Sequence, residues 1–323
     1  MKDNKINQNN PGNVHYQLFK VDTDPHCVWD VKLREKNLEA INSIDPDYFL
    51  FLTDLYYSHL QTANKDKAAM AIRTTYYHAA ETLFSLIAAA IQAPHCIYAW
   101  MLRYWPRHVR NIIEGVFSDD FEKYLHPDFA GKFNTFEQLS HAIHLDTSTP
   151  EKLLVADRFA QLWKDISIEF LDNRYRNEYN SLKHGHRAMS GGFFVAFDKN
   201  NEAGDRQRTL HGSEFGSSFL TAVDMAGSNF YTRKFSLNWN PQGCAFALKL
   251  IALSIHNIKS FLLFVNKAAD TFEIKKPENL NEFDIPTQLR PSPMFIDLDF
   301  NINVAETELL SKSDMLKRLN HEN

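Results

Sequence analysis

Residues 150–184 read PEKLLVADRFAQLWKDISIEFLDNRYRNEYNSLKH, and the period of this stretch decides the fold class. On a helix, successive residues lie about 100° apart, so each position belongs to a face. Val155, Phe159, Leu162, Ile166 and Phe170 fall in one arc, which predicts a single long amphipathic helix. Thr149 can cap it, Pro150 suits its first turn, and Gly185 is a natural stop. Continued past Phe170, the same arc meets Asn173, Asn177, Asn180 and His184, with Arg174 and Arg176 on its edges. The core-facing stripe turns polar without changing face. Buried amides and imidazoles need partners, at a cost of about 1–3 kcal/mol each if left without. Either the helix outruns its bundle and this end is wet, or the bundle holds a polar cavity there.

Helical spacing recurs over 46–62, 65–93, 97–118 (interrupted by Pro106), 134–144 and 241–269. In 65–93 the core arc runs through Ala69, Tyr76, Ala80, Phe84, Ile87 and Ile91, and Arg73 lies in its middle. A core-facing Arg73 needs an acceptor, or it reaches past the rim to water on an apolar stem. If 65–93 and 150–184 run antiparallel, Arg73 meets Asn177, Asn180 and His184 at one bundle end. Between 190 and 240 the period falls to two: Tyr231, Arg233, Phe235, Leu237 and Trp239 alternate with polar neighbours, and Gly204, Gly212 and Gly216 supply turns. Ile296, Leu298, Phe300 and Ile302 predict a strand that joins the same sheet. The expected fold is mainly α: a helical bundle with a small antiparallel β-sheet inserted before the last long helix. Residues 1–45 form an N-terminal arm and irregular segment, 46–269 the bundle, and 270–323 an extension with one strand. Residues 15–46 carry no clear period.

The chain has 323 residues, 44% of them apolar, including 25 Phe and 12 Tyr, which is ample for a core. A net charge of -5 gives no global pull toward nucleic acid or anionic lipid, so any phosphate-binding surface must be local. Cys27, Cys96 and Cys244 are odd in number and far apart, which suits free thiols in a reducing compartment. The opening MKDNKINQNNPGN lacks the apolar core of a signal peptide. Polar residues interrupt Cys244–Val265, which therefore reads as a buried helix, not a membrane span. The expected address is the cytoplasm, with no membrane partner.

The run Arg176-Asn177-Glu178-Tyr179-Asn180-Ser181-Leu182-Lys183-His184 resembles the ribonuclease motif of HEPN-like helical proteins, in which an Arg followed by a polar residue precedes a His near a helix end. The resemblance covers 46–269 in architecture and this short run in motif. It implies metal-independent RNA cleavage at a site completed across a homodimer. Arg176 would then steady charge on the scissile phosphate, and His184 would move protons on the ribose 2′-hydroxyl and the leaving oxygen. Seven residues separate the two here, more than the family's spacing. Asn173, Asn177, Asn180 and Arg73 would support the site.

Arg103, Arg107 and Arg110 recur beside Trp100, Tyr104 and Trp105, a mixture suited to single-stranded RNA or to a solvated face over buried aromatics. His78 and Glu81 form a one-turn pair of metal-ligand type, but His78 lies opposite the core arc and reads as a surface histidine. The His-Cys pairs at 26–27 and 95–96 have neither CxxC nor HxxxH spacing, so neither metal nor cofactor is expected. No motif that reads DNA sequence is present. The rival readings are a non-catalytic interaction or scaffold protein, and a ligand-sensing domain with a polar pocket.

Overall fold

Small side chains set the centre of this fold. In the helix Lys65–Gln92, alanines at 69, 79, 80 and 88–90 let neighbours approach closely, and every residue from Leu83 to Gln92 is buried. A helix covered on all sides over three turns is a core helix, and the rest of its unit is built around it. A computed structural model describes residues 16–118, 120–132, 135–144, 150–184, 187–200, 206–224, 230–271, 273–289, 295–302 and 311–321. The arm over 1–14, the cap at Thr149, the stop at Gly185 and the turn at Gly204 lie outside them.

In chain order the elements are β1 (Tyr16–Val21), β2 (Asp24–Trp29), α1 (Leu33–Asn42), α2 (Asp47–Tyr57), α3 (Lys65–Gln92), α4 (Ile97–Met101), α5 (Pro106–Phe117), α6 (Phe136–His144) and α7 (Pro150–Leu171). There follow α8 (Asn173–Lys183), β3 (Ala188–Ser190), β4 (Phe194–Asn200), β5 (Arg206–Gly212), β6 (Gly216–Asp224), β7 (Phe230–Asn238), α9 (Pro241–Val265), α10 (Ile285–Gln288), β8 (Phe295–Ile302) and α11 (Lys312–His321). The chain is mainly helical with small antiparallel sheets. It divides into two units, each discontinuous in sequence. The first comprises Met1–Leu55, Thr75–Asp172 and Ala245–Ile285; the second comprises Tyr56–Thr74, Asn173–Cys244 and Pro286–Asn323. This division does not follow the boundaries at 45 and 269 expected from the sequence.

In the first unit, β1 and β2 form a hairpin turned at Asp22, which adopts φ 60. Aspartate is one of the few side chains that tolerate this left-handed region. Gln92, fully buried at the end of α3, holds the turn. Its amide nitrogen donates to the carbonyls of Asp22 (2.7 Å) and Tyr124 (2.8 Å), and its oxygen accepts from Asp22 N–H (2.9 Å) and the Trp100 indole (3.0 Å). All four bonding positions of that amide are used. Trp163, buried on α7, donates its indole N–H to Ser254 on α9 (2.7 Å). α9 is long and apolar enough to cross a membrane by length and composition, and most of that apolar window is buried.

In the second unit the sheet order is β3-β6-β7-β8, all antiparallel, with β4-β5 as a separate hairpin. The alternation expected over 231–239 places Phe235, Leu237 and Trp239 inside; Phe219, opposite Phe235, forms a cluster with Phe235 and Leu237, with Tyr175 and Ala188 against it. Gly192 and Gly216 sit where a Cβ would strike neighbouring backbone carbonyls, so the strand crossing requires glycine at both.

One buried group in the first unit has a stability consequence. His144 stacks on Phe159, with ring centroids 4.4 Å apart and planes 2° apart. Its Nδ1 donates to the Ser140 carbonyl (2.8 Å), and its Nε2 has no hydrogen-bond partner. Burial drives its pKa down to about 3, only partly opposed by that carbonyl. The unfolded chain therefore takes up a proton below about pH 6.5 that the folded chain refuses until about pH 3. Stability from this group is complete above pH 6.5 and declines as pH falls, by roughly 1.4 kcal/mol per unit. Between pH 7 and pH 5, His144→Phe should lose about 2 kcal/mol less than the parent in denaturant titrations. His95 and His256 shift the same way in both proteins, so equal losses would show that His144 is not buried neutral.

Candidate functional site

The polar run begins with a break. α7 ends at Leu171, Asp172 is not helical, and α8 starts at Asn173. Asp and Asn are poor within helices and favoured at their starts, so an Asp-Asn pair divides the expected helix 150–184 in two. Val155, Phe159, Leu162 and Ile166 are buried as predicted, and Phe170 is half-buried against Phe84. The break then resets the phase. The inward face of α8 is Glu178 and Ser181, flanked by half-buried Tyr175 and Leu182. Asn173, Arg176, Asn180 and His184 are exposed, and Asn177 is half-buried. Of the two expectations for the polar stripe, the wet one describes these residues.

Arg73 does face inward, and its acceptor is Glu178. The guanidinium donates through Nη2 (2.9 Å) and Nε (3.3 Å) to one carboxylate oxygen, with the two side chains 3% and 0% exposed. The other oxygen accepts from the Trp239 indole N–H (2.8 Å) and the Ser217 hydroxyl. Arg73 Nη1 lies 3.6 Å from Cys244 Sγ, and the guanidinium carbon stands 5.5 Å from the Tyr175 ring centroid and 5.8 Å from that of Trp239. Strand β6, the end of the β7 segment, α3, α8 and the start of α9 thus converge on one ion pair. Both carboxylate oxygens are saturated, so this centre bonds to itself and offers a ligand no open position. The expected grouping of Arg73 with Asn177, Asn180 and His184 is corrected accordingly: Arg73 reaches the intended segment but meets the acid between the asparagines.

With Glu178 buried, the outward side of α8 carries no carboxylate. Its exposed side chains are Asn173, Arg176, Asn180 and Lys183, followed by exposed His184 and, beyond the helix, exposed Arg187. Lys183 Nζ lies 5.3 Å from the Tyr179 ring centroid. The result is a cationic, asparagine-bearing stripe on a chain of net charge -5.

The second set of arginines separates. Trp100 is buried with Tyr104 stacked on it at 4.5 Å, and Arg110 donates to the Leu171 carbonyl. Arg103, Trp105 and Arg107 face outward. Burial, and secondarily Cys27, push the Cys96 thiol up to about 12. Among the described residues no three His, Cys, Asp or Glu side chains are placed to hold an ion. The chain matches no protein-family model, no curated protein and no solved structure.

The ion pair yields a stability test. Glu178→Gln strands a buried guanidinium, and should cost roughly 3–5 kcal/mol. In a double-mutant cycle with Arg73→Met, the two losses should overlap by at least about 1 kcal/mol. Measured by urea unfolding, a loss within the ±0.5 kcal/mol usual for surface changes would disprove the burial.

Proposed function

We propose that this chain is an intracellular RNA-binding protein that grips the phosphate backbone with the outward face of α8. The observation that carries this reading is the segregation of charge on that helix. Its single acid is consumed inside by Arg73, while Arg176 and Lys183 remain outside with His184 and Arg187 beyond them. Arg176 and Lys183 are two turns apart, roughly 10 Å along the axis, so they suit successive points along a polyanion. Arg176 supplies a planar fork for phosphate oxygens, and Asn173 and Asn180 supply amide donors and acceptors beside it. Three free cysteines accord with a reducing compartment.

Cleavage is the finer form of the proposal, resting on the resemblance to HEPN-like ribonucleases. Arg176 and His184 stand roughly 12 Å apart along the helix, so within one chain they serve neighbouring phosphates. A homodimer would supply both groups to one. The 2′-oxygen would then attack phosphorus as His184 moves its proton, the 5′-oxygen would leave with a proton, and a cyclic phosphate would remain. The scaffold reading has one supporting observation, the exposed Tyr48, Phe51 and Leu55 on α2.

Filter binding of single-stranded RNA over a salt series tests the proposal. Arg176→Ala and Lys183→Ala should each weaken binding and reduce the slope of log affinity against log salt by about one phosphate contact. Arg176→Ala should leave stability unchanged, since its side chain is exposed. If the triple variant with His184→Ala binds RNA as the parent does, the α8 reading is wrong. Cleavage in chelator, with a cyclic phosphate product lost in His184→Ala, would establish the enzymatic form.

A further inference from the structure

The structure holds five tryptophans, and three are buried with the indole N–H satisfied: Trp100 on Gln92, Trp163 on Ser254 and Trp239 on Glu178. Trp105 is the opposite case. It is 65% exposed at the head of α5, next to half-buried Tyr104 and close in sequence to Leu102, which is 81% exposed, and Arg103. Its backbone is fixed: the Trp105 N–H donates to His108 Nδ1 (3.1 Å), and Pro106 opens the helix behind it. Arg103 and Arg107 bracket it in sequence, both exposed; Arg107 Nε donates to His108 Nε2 (3.4 Å), and neither arginine has a carboxylate partner among the described residues. Trp105, Pro106 and Arg107 line an open depression of about 400 Å³.

From this arrangement we infer a second contact site, where Trp105 stacks an unpaired nucleobase while Arg103 and Arg107 take the phosphates on either side. The chemistry selects the ligand. An exposed indole on a rigid helix start offers a flat, apolar face at little ordering cost, and every base has a matching π-face. Two exposed arginines that bracket Trp105 in sequence favour an anion, and a ligand that carries charge on both sides of a flat group can meet both while it stacks. Single-stranded RNA has that repeat; base-paired RNA hides its faces in the stack. This site deepens the RNA reading and rests on it for the class of ligand, but it is built from other residues than α8, so the two can fail separately.

The test uses the full chain in a Trp29→Phe background, because Trp29 is the other exposed tryptophan. A short oligouridylate and an abasic oligomer of equal length are titrated while indole fluorescence is followed. The oligouridylate should quench fluorescence. Trp105→Ala should abolish the quench and weaken binding by roughly tenfold or more, the usual loss for one stacked base. Trp105→Phe should retain most of the affinity. The abasic oligomer should bind more weakly, and equally to the parent and Trp105→Ala. Unchanged thermal midpoints would exclude a folding effect. Equal affinity for both oligomers, or oligouridylate binding indifferent to Trp105→Ala, overturns the stacking site. If such binding is still lost in Arg176→Ala, the α8 proposal survives it. No binding of either oligomer by the parent overturns both.

Discussion

A carboxylate withdrawn fully from water must have its charge and its lone pairs answered by the protein, and in the second unit Glu178 is that group. One oxygen is held by Arg73, the other by Trp239 and Ser217, and the aromatic faces of Tyr175 and Trp239 stand near the guanidinium. Each donor sits on a different segment, so the pair can be satisfied only when α3, α8, β6 and the end of β7 are all in place. Such a pair adds little net stability over an apolar replacement, because desolvation cancels most of the attraction. Its geometric demand is what matters here. It sets the rotation of α8 about its own axis, since Glu178 must point in. Everything on the opposite face is thereby turned out.

That rotation explains how a site can be cationic on an acidic chain. The helix spends its one acid internally and shows solvent a side without negative charge. The head of α5 reaches a similar state by another route. There the helix start takes Pro106 and His108 for its own architecture, leaving Trp105 and two arginines exposed.

Much of the architecture was legible because it is periodic. The core arc of α3 and the alternation over 231–239 fall on buried residues, and burial imposes a period on the sequence; the strand β8 pairs with β7 as its own alternation predicts. The hairpin β1-β2 was not legible, for three physical reasons. Its alternation is half spent on solvent, with Tyr16, Leu18 and Trp29 more than half exposed. Its turn uses Asp22 where a glycine would have signalled it. Its anchor, Gln92, is distant in sequence. The break at Asp172 was hidden differently: the apolar spacing up to Phe170 runs on smoothly into the asparagines, so the arc itself gives no notice that the helix restarts. Glu178 was missed for a related reason. An acid amid arginines and asparagines reads as one more solvated residue. The available signal was Arg73, a cation placed mid-arc among apolar residues, which called for an anion more strongly than for amides.

Beyond the break at Asp172, α8 carries two kinds of constraint within a dozen residues. Inward positions of α8 answer to folding, and a change at Glu178 or Ser181 is felt throughout the unit. Arg176, Asn180 and His184 answer to nothing in the interior, so substitutions there leave the folded state almost untouched. Over evolutionary time such a surface can drift between ligands, or sharpen toward one, without passing through unfolded ancestors. The same helix is thus a fixed point of the architecture on one side and an open field for selection on the other.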